Sequence, residues 1–179
     1  MTRTPTQPET AYVPFERFID DPHLDEHTEW VDGTMVPMHS IQEPHDRLFQ
    51  FLYPLLVFHV RLTGIGRILS EPYTMKLEPN LSARCPDIFF VSDANRDRIG
   101  QKYLAGPADL VIEITSPSSR VRDRVHKFAE YESAGVPEYW VLDPDEKAAD
   151  FFRLGDDGRF AAVELEDGVY TTDQLPAMR

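Results

Sequence analysis

The chain has 179 residues, 31 acidic against 18 basic for a formal net charge of -13, and a single cysteine, Cys85. That length is ample for one compact core, the lone cysteine excludes an internal disulfide and a cysteine zinc site, and no apolar run approaches the roughly 18 residues of a membrane span. Net acidity argues against a phosphate-rich partner, but it is confined to the flanks: residues 1–32 and 141–179 each sum to -6, residues 33–140 to -1.

Residues 1–13 lack the apolar core of a signal peptide and read as a disordered lead-in to one domain over residues 14–179, with the cytoplasm as the default location. Phe15, Phe18 and Ile19 are spaced for a short helix. "HTEWVDGTMVPM" is a hairpin whose turn is Asp32-Gly33. Residues 43–64 form a long helix with Leu48, Leu52, Leu55, Leu56 and Val60 on one face, a kink at Pro54 and a stop at Gly64. "RILS" and "YTMKL" are short strands, "EPNLSAR" a loop, and "DIFFVS" an apolar strand closed by polar "DANRDR". "DLVIEI" reads as a strand buried on both faces, and Pro117 with Ser118 and Ser119 opens a helix running to about Ser133. "AGVPEYWVLD" is a helix stop and a strand, and "DFFRL", "RFAAVEL" and "GVY" form an antiparallel meander. The fold class is α/β or α+β, with a mixed central sheet flanked by helices.

Glu113 is the residue that asks for an explanation. An ionised carboxylate between Ile112 and Ile114 costs several kcal/mol unless a positive charge faces it. Asp87 opens the preceding apolar strand, and Lys127 lies on the helix after Glu113, one stripe away from Val121, Val125 and Phe128, which are expected to pack on the sheet. Two carboxylates from neighbouring strands and one ammonium suit metal-assisted phosphodiester cleavage. Mg2+ or Mn2+ takes oxygen ligands and keeps several waters, and a lysine can orient the attacking water or offset charge on the phosphate. Arg120, Arg124 and Lys127 border the sheet on this reading, so Arg120 and Arg124 are candidate contacts for DNA backbone phosphates.

"CPDIFFVS" followed by "ADLVIEITSPSSRVRDRVHKFAEYESAGVPEYWVLD" resembles the Uma-two family of restriction-endonuclease-like proteins, part of the PD-(D/E)XK nuclease superfamily. "TEWVDGTMVPM" resembles the family's Glu-x-x-x-Gly hairpin, and His45 matches a usual family histidine, so the likeness runs over roughly residues 26–154. It implies a restriction-endonuclease-like core, Asp87 and Glu113 as metal-binding carboxylates, and Glu29 as a further acidic site residue. The superfamily's lysine belongs two residues beyond Glu113, where this chain has Thr115; Lys127 matches the place on the next helix to which that lysine has moved in this family. A nuclease of this size often works as a homodimer.

Each site residue has a plainer alternative. Glu113 could pair with an arginine of the 120–124 run, and Lys127 with Asp123 four residues earlier. Asp87 could satisfy turn backbone after Pro86, Glu29 could be an exposed hairpin residue, and His45 a helix cap. Ser116 and Ser118 lack a nucleophile elbow, His23 and His27 are a weak metal signal, and Cys85 suits packing. The rival class is a nuclease fold that binds nucleic acid or regulates without cutting.

Overall fold

The computed structural model describes residues 12–23, 27–38, 42–78 and 82–178. The expected lead-in falls largely outside them, but Val13 is fastened to the hairpin: its N–H donates to Gly33 at 2.8 Å and its carbonyl accepts the Trp30 indole at 2.7 Å. In chain order come α1 (Phe15–Ile19), β1 (Thr28–Val31), β2 (Thr34–Pro37), α2 (Glu43–Thr63), β3 (Gly66–Ser70), β4 (Thr74–Leu77), β5 (Ser82–Arg84) and β6 (Ile88–Ser92). A 3-10 turn (Asp93–Arg98), β7 (Tyr103–Ala105) and β8 (Leu110–Ile114) follow. A π-helical segment (Arg122–Lys127) then runs into α3 (Phe128–Ala134), before β9 (Glu138–Asp143), β10 (Ala148–Leu154) and β11 (Phe160–Ala162).

The strands form two mixed sheets rather than one central sheet. One has the order β2-β1-β5-β4-β7, the other β11-β10-β9-β8-β6-β3. β5 and β7 are the strands the sequence does not announce, each only three residues long. The hairpin turns at Asp32-Gly33, both with positive φ, which glycine and aspartate tolerate. β8 pairs parallel with β9 and antiparallel with β6, so it has neighbours on both edges.

Side chains alternate across β8. On one face Val111 joins Phe89, Val91, Tyr131, Tyr139 and Val141, and meets Met75, Leu77 and Leu104 of the five-stranded sheet. On the other, Leu110 and Ile112 pack with Ile88, Phe90 and Trp140 beneath Leu56 and Val60 of α2. Glu113 shares the Val111 face, which places it between the two sheets.

Three local expectations are corrected. On α2 the buried residues are Leu56 and Val60, while Leu55 is turned outward. Beyond β11, "GVY" forms only an isolated bridge between Glu166 and Val169, so the meander has one strand fewer. Val121 and Val125 are 68% and 56% exposed, whereas Ser119, Asp123, Lys127 and Tyr131 are buried. Residues four apart drift by roughly 40° per step on an α-helix; the wider π turn takes that drift back, so these four stay on one face and the valines are rotated outward.

Candidate active site

The β6–β8 register sets Ile88 opposite Ile112, and one further step sets Asp87 opposite Glu113. Directly opposed residues of an antiparallel pair point to the same side, so both carboxylates project from one sheet face. The Ile114 N–H donates to Asp87 Oδ2 at 2.6 Å, closing the strand end around the aspartate. From the first turn of α2, His45 Nε2 lies 3.1 Å from Asp87 Oδ1. Burial disfavours charge on His45, but the hydrogen bond and charge of Asp87 outweigh it and hold the imidazole pKa above its usual value, favouring the protonated ring.

Glu113 is met by two donors on the same oxygen. Lys127 Nζ reaches Oε1 at 2.9 Å and the Tyr131 hydroxyl donates to it at 2.7 Å. The buried glutamate is therefore faced by the helix lysine rather than by an arginine. The Lys127 ammonium also lies 3.2 Å from Glu29 Oε1 and 3.8 Å from Asp123 Oδ1. Burial pulls the Lys127 pKa down, yet Glu113, Glu29 and Asp123 more than reverse it, and the side chain stays an ammonium. Burial also drives the Glu113 pKa up; Lys127 opposes this, while Asp87 and Asp123 reinforce it. Both members of the pair thus bind protons more tightly than usual. Burial drives the Glu113 shift and the surrounding carboxylates the Lys127 shift.

A cavity of about 40 Å3 opens on this cluster, lined by Asp87, Glu113, Lys127, His45, Glu71, Arg122 and Asp123 among others. Three buried polar atoms of its lining, His45 Nδ1, Arg122 Nε and Asp123 Oδ1, make no hydrogen bond among the described residues. Buried polar atoms are ordinarily satisfied, and those that are not mark a place where water, an ion or a ligand belongs. The donor set is carboxylate oxygen, which suits a hard dication. Among the described residues no three His, Cys, Asp or Glu side chains close into a cage.

The residues singled out from the sequence divide into three groups. Asp87, Glu113, Lys127 and His45 come together at the cavity. Glu29 is fully buried behind Lys127, where it accepts from Arg84 at 2.9 Å and from the Cys85 N–H at 3.3 Å. Burial pushes its pKa up, but Lys127 and Arg84 prevail and hold it at about 2, so it is an ionised anchor rather than part of the cavity wall. Arg120 and Arg124 lie outside the cavity: Arg120 donates to Asp143 at 2.8 Å and Arg124 to Asp150. Arg122 is the arginine on the wall. Ser116 and Ser119 bond each other across the turn, the Ser116 N–H donating to Ser119 Oγ at 3.0 Å, and the Cys85 thiol is pushed up to about 12 by burial. Asp123, Arg122 and Glu71 were not singled out for the site; the four-residue spacing of Ser119, Asp123, Lys127 and Tyr131 is the signal that could have found Asp123.

Two carboxylates on adjacent strands, an ammonium between the sheets and a cavity before them define a nuclease-type architecture. In agreement, the chain superposes on the crystal structure of "a putative nuclease belonging to DUF820" from Anabaena variabilis with a TM-score of 0.73, at 18% identity over 91% of each chain. The chain belongs to the Uma2 family, "Putative restriction endonuclease", whose model matches residues 15–178. It is also 24% identical over 167 residues, covering 93% of this chain and 86% of the other, to "Uncharacterized protein slr1290" of Synechocystis sp..

Proposed function

We propose that the chain is a divalent-metal-dependent endonuclease that hydrolyses DNA phosphodiester bonds, with Asp87 and Glu113 holding Mg2+ or Mn2+. The observation that carries this reading is the meeting of Asp87, Glu113 and Lys127 at one cavity whose wall keeps unsatisfied polar atoms. Family membership and the shared nuclease fold support it.

When bound, the dication would polarise the phosphate and acidify a water molecule. The protein's own groups have separable tasks. Lys127 and Tyr131 both bond Glu113 Oε1, so Oε2 is the oxygen left for the cation. His45 and the Ile114 N–H fix Asp87 in rotation. The Lys127 ammonium orients the attacking water and offsets charge gathering on the phosphate; Glu29 positions that ammonium from behind. Arg122 Nε, which faces Asp123 Oδ1 at 3.8 Å without hydrogen-bonding it, is a donor for a phosphate oxygen. Arg124 reaches the flanking DNA backbone by exchanging Asp150 for a phosphate, an inexpensive exchange at the surface, and Arg120 by exchanging the exposed Glu146 while keeping its bond to the buried Asp143.

The test is incubation with supercoiled, linear and single-stranded DNA across Mg2+, Mn2+ and Ca2+. Cleavage that needs the dication and disappears in a folded Glu113→Gln variant supports the assignment. DNA binding without cutting under any ion would make the chain a binding module instead, and wild-type rates in Glu113→Gln would remove the site.

A further inference from the structure

The outward face of α2 carries a second apolar stripe, well separated from the one that packs on the sheet. Phe51, Leu55, Phe58 and Leu62 are 66%, 46%, 64% and 71% exposed. Their spacing of four, three and four residues aligns them along a single narrow face, almost opposite the buried Leu56 and Val60. We propose that this stripe is the contact through which a second copy of the chain docks, helix antiparallel to helix, about a two-fold axis passing between Leu56 and Val57.

Three observations choose that occupant. Counting inward from the ends, the stripe reads Phe, Leu, Phe, Leu; reversed about its centre, Phe51 meets Leu62 of the partner and Leu55 meets Phe58. Every aromatic thus falls on an aliphatic side chain, as an isologous interface requires. Second, α2 is an unbroken helix of 21 residues. An antiparallel neighbour sets the two helix dipoles head to tail. Third, the area is of the right order. With a fully exposed side chain of this kind taken at roughly 150–200 Å2, the four fractions leave on the order of 450 Å2, within the roughly 300–600 Å2 of a monomer's largest patch, which is often functional. Phe51 and Leu55 also form one side of an open groove completed by Trp140, Phe151 and Tyr170, which extends the patch toward the roughly 800 Å2 per partner of a stable interface.

The dimer rests on this face alone and not on the nuclease reading, so either can fail without the other. Sedimentation equilibrium of the full chain across the micromolar range should find a dimer. The double variant Phe51→Glu/Phe58→Glu should weaken it by at least about 100-fold, the loss expected when two central anchors go, with an unchanged circular dichroism spectrum. As a check that needs no destabilising charge, Leu55→Cys should be joined to a second chain by a short bismaleimide, because the native Cys85 is buried and slow to react. Val125→Cys, exposed on the opposite side of the six-stranded sheet, should not. A wild-type chain that stays monomeric overturns the proposal. So does a folded double variant that still dimerises, or a dimer that the Leu55→Cys variant cannot trap.

Discussion

The ionic network between the two sheets has two halves that look alike in composition and differ in completeness. In the rear half, Arg84 is clamped by Glu130 at 2.7 and 2.5 Å and by Glu29 at 2.9 Å, and Glu29 also holds Lys127 and the Cys85 N–H. Every charge there is answered. In the front half, Asp87, Glu113 and Asp123 are met by His45, Lys127 and Arg122, but three polar atoms are buried without a hydrogen bond. Charged groups buried to hold a fold are paired; charged groups buried to hold something else are left partly open. Lys127 belongs to both halves, paired with Glu29 behind it and Glu113 in front.

That contrast is sharpened by substitutions that touch one half at a time. The largest effect should come from the front: Asp87→Asn or Glu113→Gln should lower the DNA cleavage rate by at least ~1000-fold, the scale of losing a principal electrostatic group, while the thermal midpoint barely moves or rises. The rear should answer in stability. Arg84→Met leaves Glu29 and Glu130 without their guanidinium and should cost about 3–5 kcal/mol in urea unfolding, the usual toll for half of a buried pair. A loss of cleavage without a loss of stability in Arg84→Met would erase the distinction between the halves.

Acid should also act on the rear. The Glu29 pKa falls from 4.5 to about 2 on folding, so the folded state binds its proton less tightly than the unfolded state. The associated stability is complete above pH 4.5 and is lost as pH falls toward 2. At about 1.4 kcal/mol per unit that amounts to roughly 3 kcal/mol, measurable as a steeper acid slope in the wild type than in Glu29→Gln. Next in size, Arg122→Gln should slow cleavage by about 10- to 100-fold, as expected for one lost phosphate donor, with the loss concentrated in KM for DNA. The smallest effect belongs to Tyr131→Phe, which removes one donor from Glu113 and should cost about 1 kcal/mol of stability.

Much of this arrangement was legible in the residues. Asp32-Gly33 specifies its own turn, and the unbroken apolar runs around Phe89 and Val111 can only be strands with neighbours on both faces. Glu113 advertised the site, because an isolated carboxylate in such a run needs a cation, and Lys127 supplies it from the helix where Thr115 does not. What stayed hidden depended on geometry that a 3.6-residue wheel does not contain. The π segment turns Asp123 and Lys127 inward and Val121 and Val125 outward, and with them Arg122, rather than Arg120 or Arg124, onto the cavity wall. β5 and β7 stayed hidden for another reason: three residues are too few to show a period, and their pairing is decided by partners distant in the chain.

The most direct trial of the front-half argument is calorimetric titration of Mn2+ into the wild-type chain and into Asp87→Asn and Glu113→Gln. One ion per chain in the wild type, with binding lost in both variants, is the predicted result. Equal binding in all three proteins, or none in the wild type, would contradict it.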